Sequence, residues 1–126
     1  MKKQKQLGIC MDHSSALIME LTNNMIISTE FESESIKKIE IENEDNHEIK
    51  GKEEQQTQSA YYKRISDIIR NYEAVLLFGP TDAKNELFNL IKVDHDFDNI
   101  LIELRTTDKM TENQMFAFVK DFFKSI

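Results

Sequence analysis

The sequence predicts an α/β domain with element order βββαβαβα, and three observations carry that prediction. Short, β-rich apolar runs separated by polar breaks crowd the first part of the chain. From Ser59 onward the apolar residues change to helical spacing. Between the helical stretches lie two further apolar runs, "AVLLF" and "NILIELRTT". A chain of 126 residues suits one domain around one core, so residues 1–126 are expected to form a single unit.

Leu7–Met11 ("LGICM") reads as the first strand, and "HSS" as the polar break after it. "ALIMEL" is the second strand, and Asn23-Asn24 signals a tight turn because Asn tolerates positive φ. "MIISTEFES" is the third strand, completing an antiparallel meander. The next stretch is dense in charge. "KIEIE" alternates and can extend a strand, while the remainder, about residues 43–57, reads as a mobile acidic loop. Tyr61, Ile65, Ile68, Ile69 and Tyr72 then fall on one helical face. "AVLLF" is a buried strand, ended by Gly79-Pro80, and Pro80 suits a first helical position. Ala83, Leu87 and Ile91 mark the buried face of the second helix. "NILIELRTT" is the last strand. "TENQ" at Thr111–Gln114 has capping-box spacing and opens a final helix, with Met115, Val119, Phe122 and Ile126 on one side. Phe116, Phe118 and Phe123 make that helix apolar on more than one face, which suits burial between layers or a homodimer contact. Right-handed crossovers place the fourth and fifth strands parallel to the first. This is the ribonuclease H-like order, a five-stranded mixed sheet with helices on both faces.

A formal net charge of −7 gives little general attraction to nucleic acid, so free-standing DNA binding is not expected. The longest apolar runs are too short to cross a bilayer, and no signal peptide precedes the first strand, so a cytoplasmic location is expected. The single cysteine, Cys10, lies within an apolar run and fits a reducing compartment.

Chemistry is expected at the carboxyl ends of the parallel strands, where ligands bind in such sheets. Asp12, Asp82 and Asp108 follow the first, fourth and fifth strands, and three carboxylates gathered there could hold Mg²⁺ for nuclease chemistry. The helix-borne acid that such nucleases add has no inward-facing match in Asp67 or Glu73. "DHDFDN" starts like a calcium loop, but it has Asn99 where Gly is needed and Arg105 where Glu is needed, so it reads as a solvated turn. "GPTD" offers helix-start amides to an anion without the glycine-lysine signature of a phosphate loop. His13, His47 and His95 lack metal-ligand spacing, and Ser14 has no nucleophile elbow around it. No cofactor is implied.

"LGICMDHSSALIMEL", an acidic loop, "QSAYYKRI" and "VLLFGPTDAKNEL" follow one another in an order and spacing that resemble the central domain of archaeal and eukaryotic peptide-chain release factors and Pelota, as carried by small bacterial proteins. The resemblance covers nearly the whole chain. It implies that Gln58, Ser59 and Ala60 match the end of the family's Gly-Gly-Gln-Ser-Ala loop, and that Gly79, Pro80 and Lys84 match its Gly-Pro-helix segment. In the family the two glycines let the loop enter the peptidyl-transferase centre and present Gln to the ester bond. Here Gln56 and Thr57 replace them, and both disfavour the backbone that Gly permits. The resemblance therefore implies a translation-associated domain that docks on the ribosome or a ribosome-bound factor without catalysis. Its contacts would be Thr57, Gln58, Ser59, Ala60, Gly79, Pro80 and Lys84. Two alternatives stand beside it: peptidyl-tRNA hydrolysis through Gln58, and a metal-dependent nuclease built on Asp12, Asp82 and Asp108.

Overall fold

The computed structural model describes residues 5–22, 25–32 and 47–125. The elements are β1 (Gln6–Met11), β2 (Ser15–Thr22), β3 (Met25–Glu32), α1 (His47–Ile69), β4 (Ala74–Gly79), α2 (Ala83–Ile91), a short 3₁₀ turn (His95–Phe97), β5 (Leu101–Thr106) and α3 (Glu112–Lys124). The sheet has five strands in the order β3-β2-β1-β4-β5. β1, β2 and β3 form the antiparallel meander, and β4 and β5 continue the sheet parallel to β1. The ribonuclease H-like order is thus the one observed.

Strand alternation divides the interior into two layers. Leu7, Ile9 and Met11 of β1 and Val75 and Leu77 of β4 point to one face. There they meet Tyr61, Ile65 and Ile69 of α1 and Ala83, Leu87 and Ile91 of α2. Met19, Leu76 and Phe78 point to the other face and pack on Val119 and Phe123 of α3. Coverage on both faces explains why every residue of β4 is buried and why its sequence is apolar throughout.

Helix α3 is started by the expected capping box. The Gln114 amide donates to Thr111 Oγ1 at 3.2 Å, and the Thr111 amide donates to Gln114 Oε1 at 2.9 Å. Its apolar surplus is spent on this sheet: Met115, Phe116, Phe118 and Phe122 are partly buried around Val119 and Phe123. Phe123 is therefore more central than the expected Phe122, and Ile126 lies outside the described residues.

Two glycines set close contacts. Gly8 faces α3, and a Cβ there would stand 2.5 Å from Val119 Cγ2. Gly79 ends β4 at φ +147, and a Cβ there would run into the carbonyl oxygen of Met11. Only glycine lets β1 and β4 end side by side in this way.

Helix α1 begins at His47, upstream of the expected Ser59, so residues 47–57, expected as part of a loop, are helical. Gln-, Lys- and Glu-rich sequence is compatible with helix as well as with loop, and no apolar stripe marked the difference. The expected Asn23-Asn24 turn, the "KIEIE" extension and residues 43–46 lie outside the described residues. Among the described residues, no helix is long and apolar enough to cross a membrane.

The Gly8–Val119 contact makes a double-mutant prediction. Gly8→Ala is expected to destabilise by about 1–3 kcal/mol through overpacking. In a Val119→Ala background the same change should cost clearly less, and urea denaturation of the four proteins measures the coupling.

Candidate functional site at the strand ends

The carboxyl ends of β1 and β4 carry most of the residues singled out from the sequence. Asp12 closes the β1–β2 hairpin. Its amide donates to the Ser15 carbonyl at 2.9 Å. Its Oδ1 accepts from the amides of Ser14 and Ser15, both at 2.8 Å, and from the Ser14 hydroxyl at 3.2 Å. This is an Asx-type turn, which explains why an Asp stands at this point. Partial burial works to raise the Asp12 pKa, but the two amides, the Ser14 hydroxyl and the nearby His13 outweigh it and hold the carboxyl below its ordinary value. The carbonyl of Asp12 accepts from the Tyr61 hydroxyl at 3.0 Å, tying α1 to the end of β1. Burial, together with the Asp12 charge, raises the Tyr61 phenol well above its usual range and keeps it a donor.

A second cluster joins three elements. Tyr62 of α1 donates to Glu86 Oε1 of α2 at 2.6 Å, and His13 Nε2 lies 3.2 Å from the same oxygen. The Tyr62 bond is the largest influence on Glu86, whose pKa is lowered, with His13 acting in the same direction. Gln58, one helical turn before Tyr62, lies close enough to favour the ionised form of that phenol, although burial and Glu86 dominate and raise the Tyr62 pKa. The Gln58 Nε2 atom is buried and has no well-formed hydrogen bond among the described residues. Ser59 and Ala60 are exposed on the outer side of α1, and Thr57 is helical in backbone.

Lys84 is 1% exposed, and its Nζ donates to the Thr81 carbonyl at 2.7 Å. Its place is therefore under the Gly79-Pro80-Thr81 turn, where it acts as a brace. Pro80 is exposed and Gly79 is buried. The Cys10 thiol is raised to about 11 by burial and by the Asp12 charge, with Lys84 opposing both, and it stays protonated at neutral pH. Thr107 follows β5; its amide donates to the Gly79 carbonyl at 3.2 Å, and its Oγ1 is buried without a partner among the described residues.

The three candidate metal ligands are not brought together. Asp82 is an exposed N-cap of α2 whose Oδ1 accepts from the Asn85 side chain at 3.3 Å, and Asp108 is exposed beyond β5. Among the described residues, no group of three His, Cys, Asp or Glu side chains could hold a metal ion. "DHDFDN" is the expected turn: Asp94 Oδ1 accepts from the Asp96 amide at 2.9 Å, and Arg70 pairs with Asp94 and Asp96. The residues that sequence reasoning missed are Tyr62, Glu86 and His13. The four-residue step from Gln58 to Tyr62 was a usable signal, but Glu86 is joined to them only by folding.

No protein-family model matches the chain, and no curated protein matches it. Solved structures do. Pelota from Thermoplasma acidophilum superposes with a TM-score of 0.60 at 13% identity, over 92% of this chain and 32% of that one. Archaeoglobus fulgidus Pelota gives 0.59 at 9% identity, over 95% of this chain and 32% of that one. The archaeal translation termination factor aRF1 gives 0.52 at 15% identity, over 96% of this chain and 39% of that one. The chain thus has a Pelota- and release-factor-like fold, and it spans about a third of the length of these proteins.

Two predictions test this edge. The Asp12 carboxyl titrates lower in the folded chain, so its contribution is present above the unfolded pKa of about 4 and is lost as pH falls through the folded value. Asp12→Asn keeps an oxygen acceptor for the turn but cannot titrate, so its denaturation midpoint should fall less steeply than wild type between about pH 5 and pH 2. For the buried brace, Lys84→Ala is expected to cost about 2–4 kcal/mol. Lys84→Met, which keeps the volume, is expected to cost less than about 1.5 kcal/mol. Urea midpoints decide both.

Proposed function

We propose that this chain is a translation-associated, release-factor-like domain that docks on the ribosome or a ribosome-bound factor and does not hydrolyse peptidyl-tRNA. The observation that carries the reading is the placement of Gln58. It stands on α1 at the strand-end edge, the position that the "QSA" match suggests for a contact segment. Its amide nitrogen is buried beside Tyr62 instead of standing at the tip of a glycine loop. A hydrolytic role would require that amide to reach an ester bond. Helix through Gln56 and Thr57 works against such reach, because each residue fixes the backbone that two glycines would free. The exposed Ser59, Ala60 and Pro80 offer the contact surface. Gly79 and Lys84 shape it from beneath. Taken as one unit over residues 1–126, the chain would act through its partner and without a cofactor. A cytoplasmic site of action goes with that partner.

Co-sedimentation with ribosomes from the source organism, across a salt series, tests the docking. Binding is expected at low salt and should weaken as salt rises, and replacing residues 55–60 with a neutral linker should abolish it. No binding at low salt would overturn the docking claim. In a peptidyl-tRNA release assay the wild type is expected to give the buffer rate. Release that disappears in Gln58→Ala would replace this reading with the hydrolase.

A further inference from the structure

On the α3 side of the sheet, a cleft of about 320 Å³ opens at the end of β1, away from Gln58. Its floor is apolar, from Ala16, Leu17, Met110 and Met115. The Cys10 thiol in its wall is uncharged at neutral pH. Its charged groups are few and mostly of one sign, Asp12, Glu30 and Glu112 against Lys109, with Ser15 as a neutral polar neighbour. The volume and the apolar lining with a few charged groups are those of a small-ligand site at the lower end of the usual range.

Asp12 is the fixed element of this cleft. All three of its side-chain bonds among the described residues fall on Oδ1, so the turn holds the carboxylate rigidly and leaves Oδ2 for another donor. Met110 and Met115 add flexible thioether surface that adapts to an alkyl or aryl body. An anionic ligand would face three carboxylates, and a neutral one would leave them unpaired.

We propose that this cleft binds a small organic cation, a primary ammonium on a short apolar body, with the ammonium at Asp12 and the body between Leu17, Met110 and Met115. The cleft holds none of Gln58, Ser59 and Ala60, but it shares Pro80 with the proposed docking surface. Ligand binding is measured on the isolated protein, so its failure and a failure of ribosome docking are read separately. The cleft takes a free amine and calls for no partner protein.

The test uses full-length protein with ¹³C-methyl-labelled methionine, titrated with hexylammonium, hexanoate and hexanol. Hexylammonium is expected to shift the Met110 and Met115 methyl signals saturably, with a dissociation constant of about 1 mM or below. Hexanoate and hexanol should leave those signals in place over the same range. Asp12→Asn should weaken hexylammonium about tenfold, the effect of losing one charge-assisted hydrogen bond. Glu112→Gln, an exposed change that leaves the Asp12 turn intact, should weaken it severalfold. Equal shifts from hexanoate and hexylammonium would overturn the proposal, as would no shift with hexylammonium or unchanged affinity in both variants.

Discussion

The structure depends on the parallel pairing of β1 with β4 and on the way those two strands end. Gly79, at a backbone angle that side chains rarely adopt, lets the end of β4 come up against the carbonyl of Met11. From that point the chain turns through Pro80 and Thr81 into α2, with Lys84 bonded beneath the turn. On the β1 side, Asp12 folds back through Ser14 and Ser15 into β2. The two central strands are covered on both faces, so among the described residues the pair is least buried toward its ends. The candidate edge is therefore a consequence of how the core is closed.

That edge is electrostatically divided. On the α1–α2 side, Tyr61 and Tyr62 are protonated donors, held so by burial and by neighbouring carboxylates, and they tie α1 to Asp12 and Glu86. On the α3 side, Asp12 lines a cleft together with Glu30, Lys109 and Glu112. One residue thus joins both sides: its backbone carbonyl accepts from α1 and its side chain closes the hairpin.

Much of the fold was legible in the sequence, because periodicity and burial agree wherever a residue packs. The apolar run Leu7–Met11, the helical stripe from Tyr61 to Ile69 and the capping box at Thr111 appear as the strand, the buried helix face and the helix start they were read to be. The start of α1 was not legible, because residues 47–57 bury no apolar stripe that would mark a helix and their polar composition suits either state. The site was legible only in part. Asp12, Gly79 and Gln58 were proposed from motif and position, and the structure sets Asp12 and Gly79 at adjoining strand ends. Asp82 and Asp108 were reasonable as strand-end acids, yet both are exposed and, among the described residues, no metal-holding group of three forms. Glu86 and His13 could not be joined to Tyr62 from sequence, since their meeting depends on α1, α2 and the first hairpin packing on one sheet edge.

The central claim is that Gln58 rides on a formed helix with its amide turned inward. Residue-resolved hydrogen exchange of the backbone amides from Gln58 to Tyr61 in the isolated protein tests it most directly. The account predicts protection approaching that of Ile65, in the buried middle of the same helix. Exchange at the rate of an unstructured peptide would contradict it and would place Gln58 on a free loop.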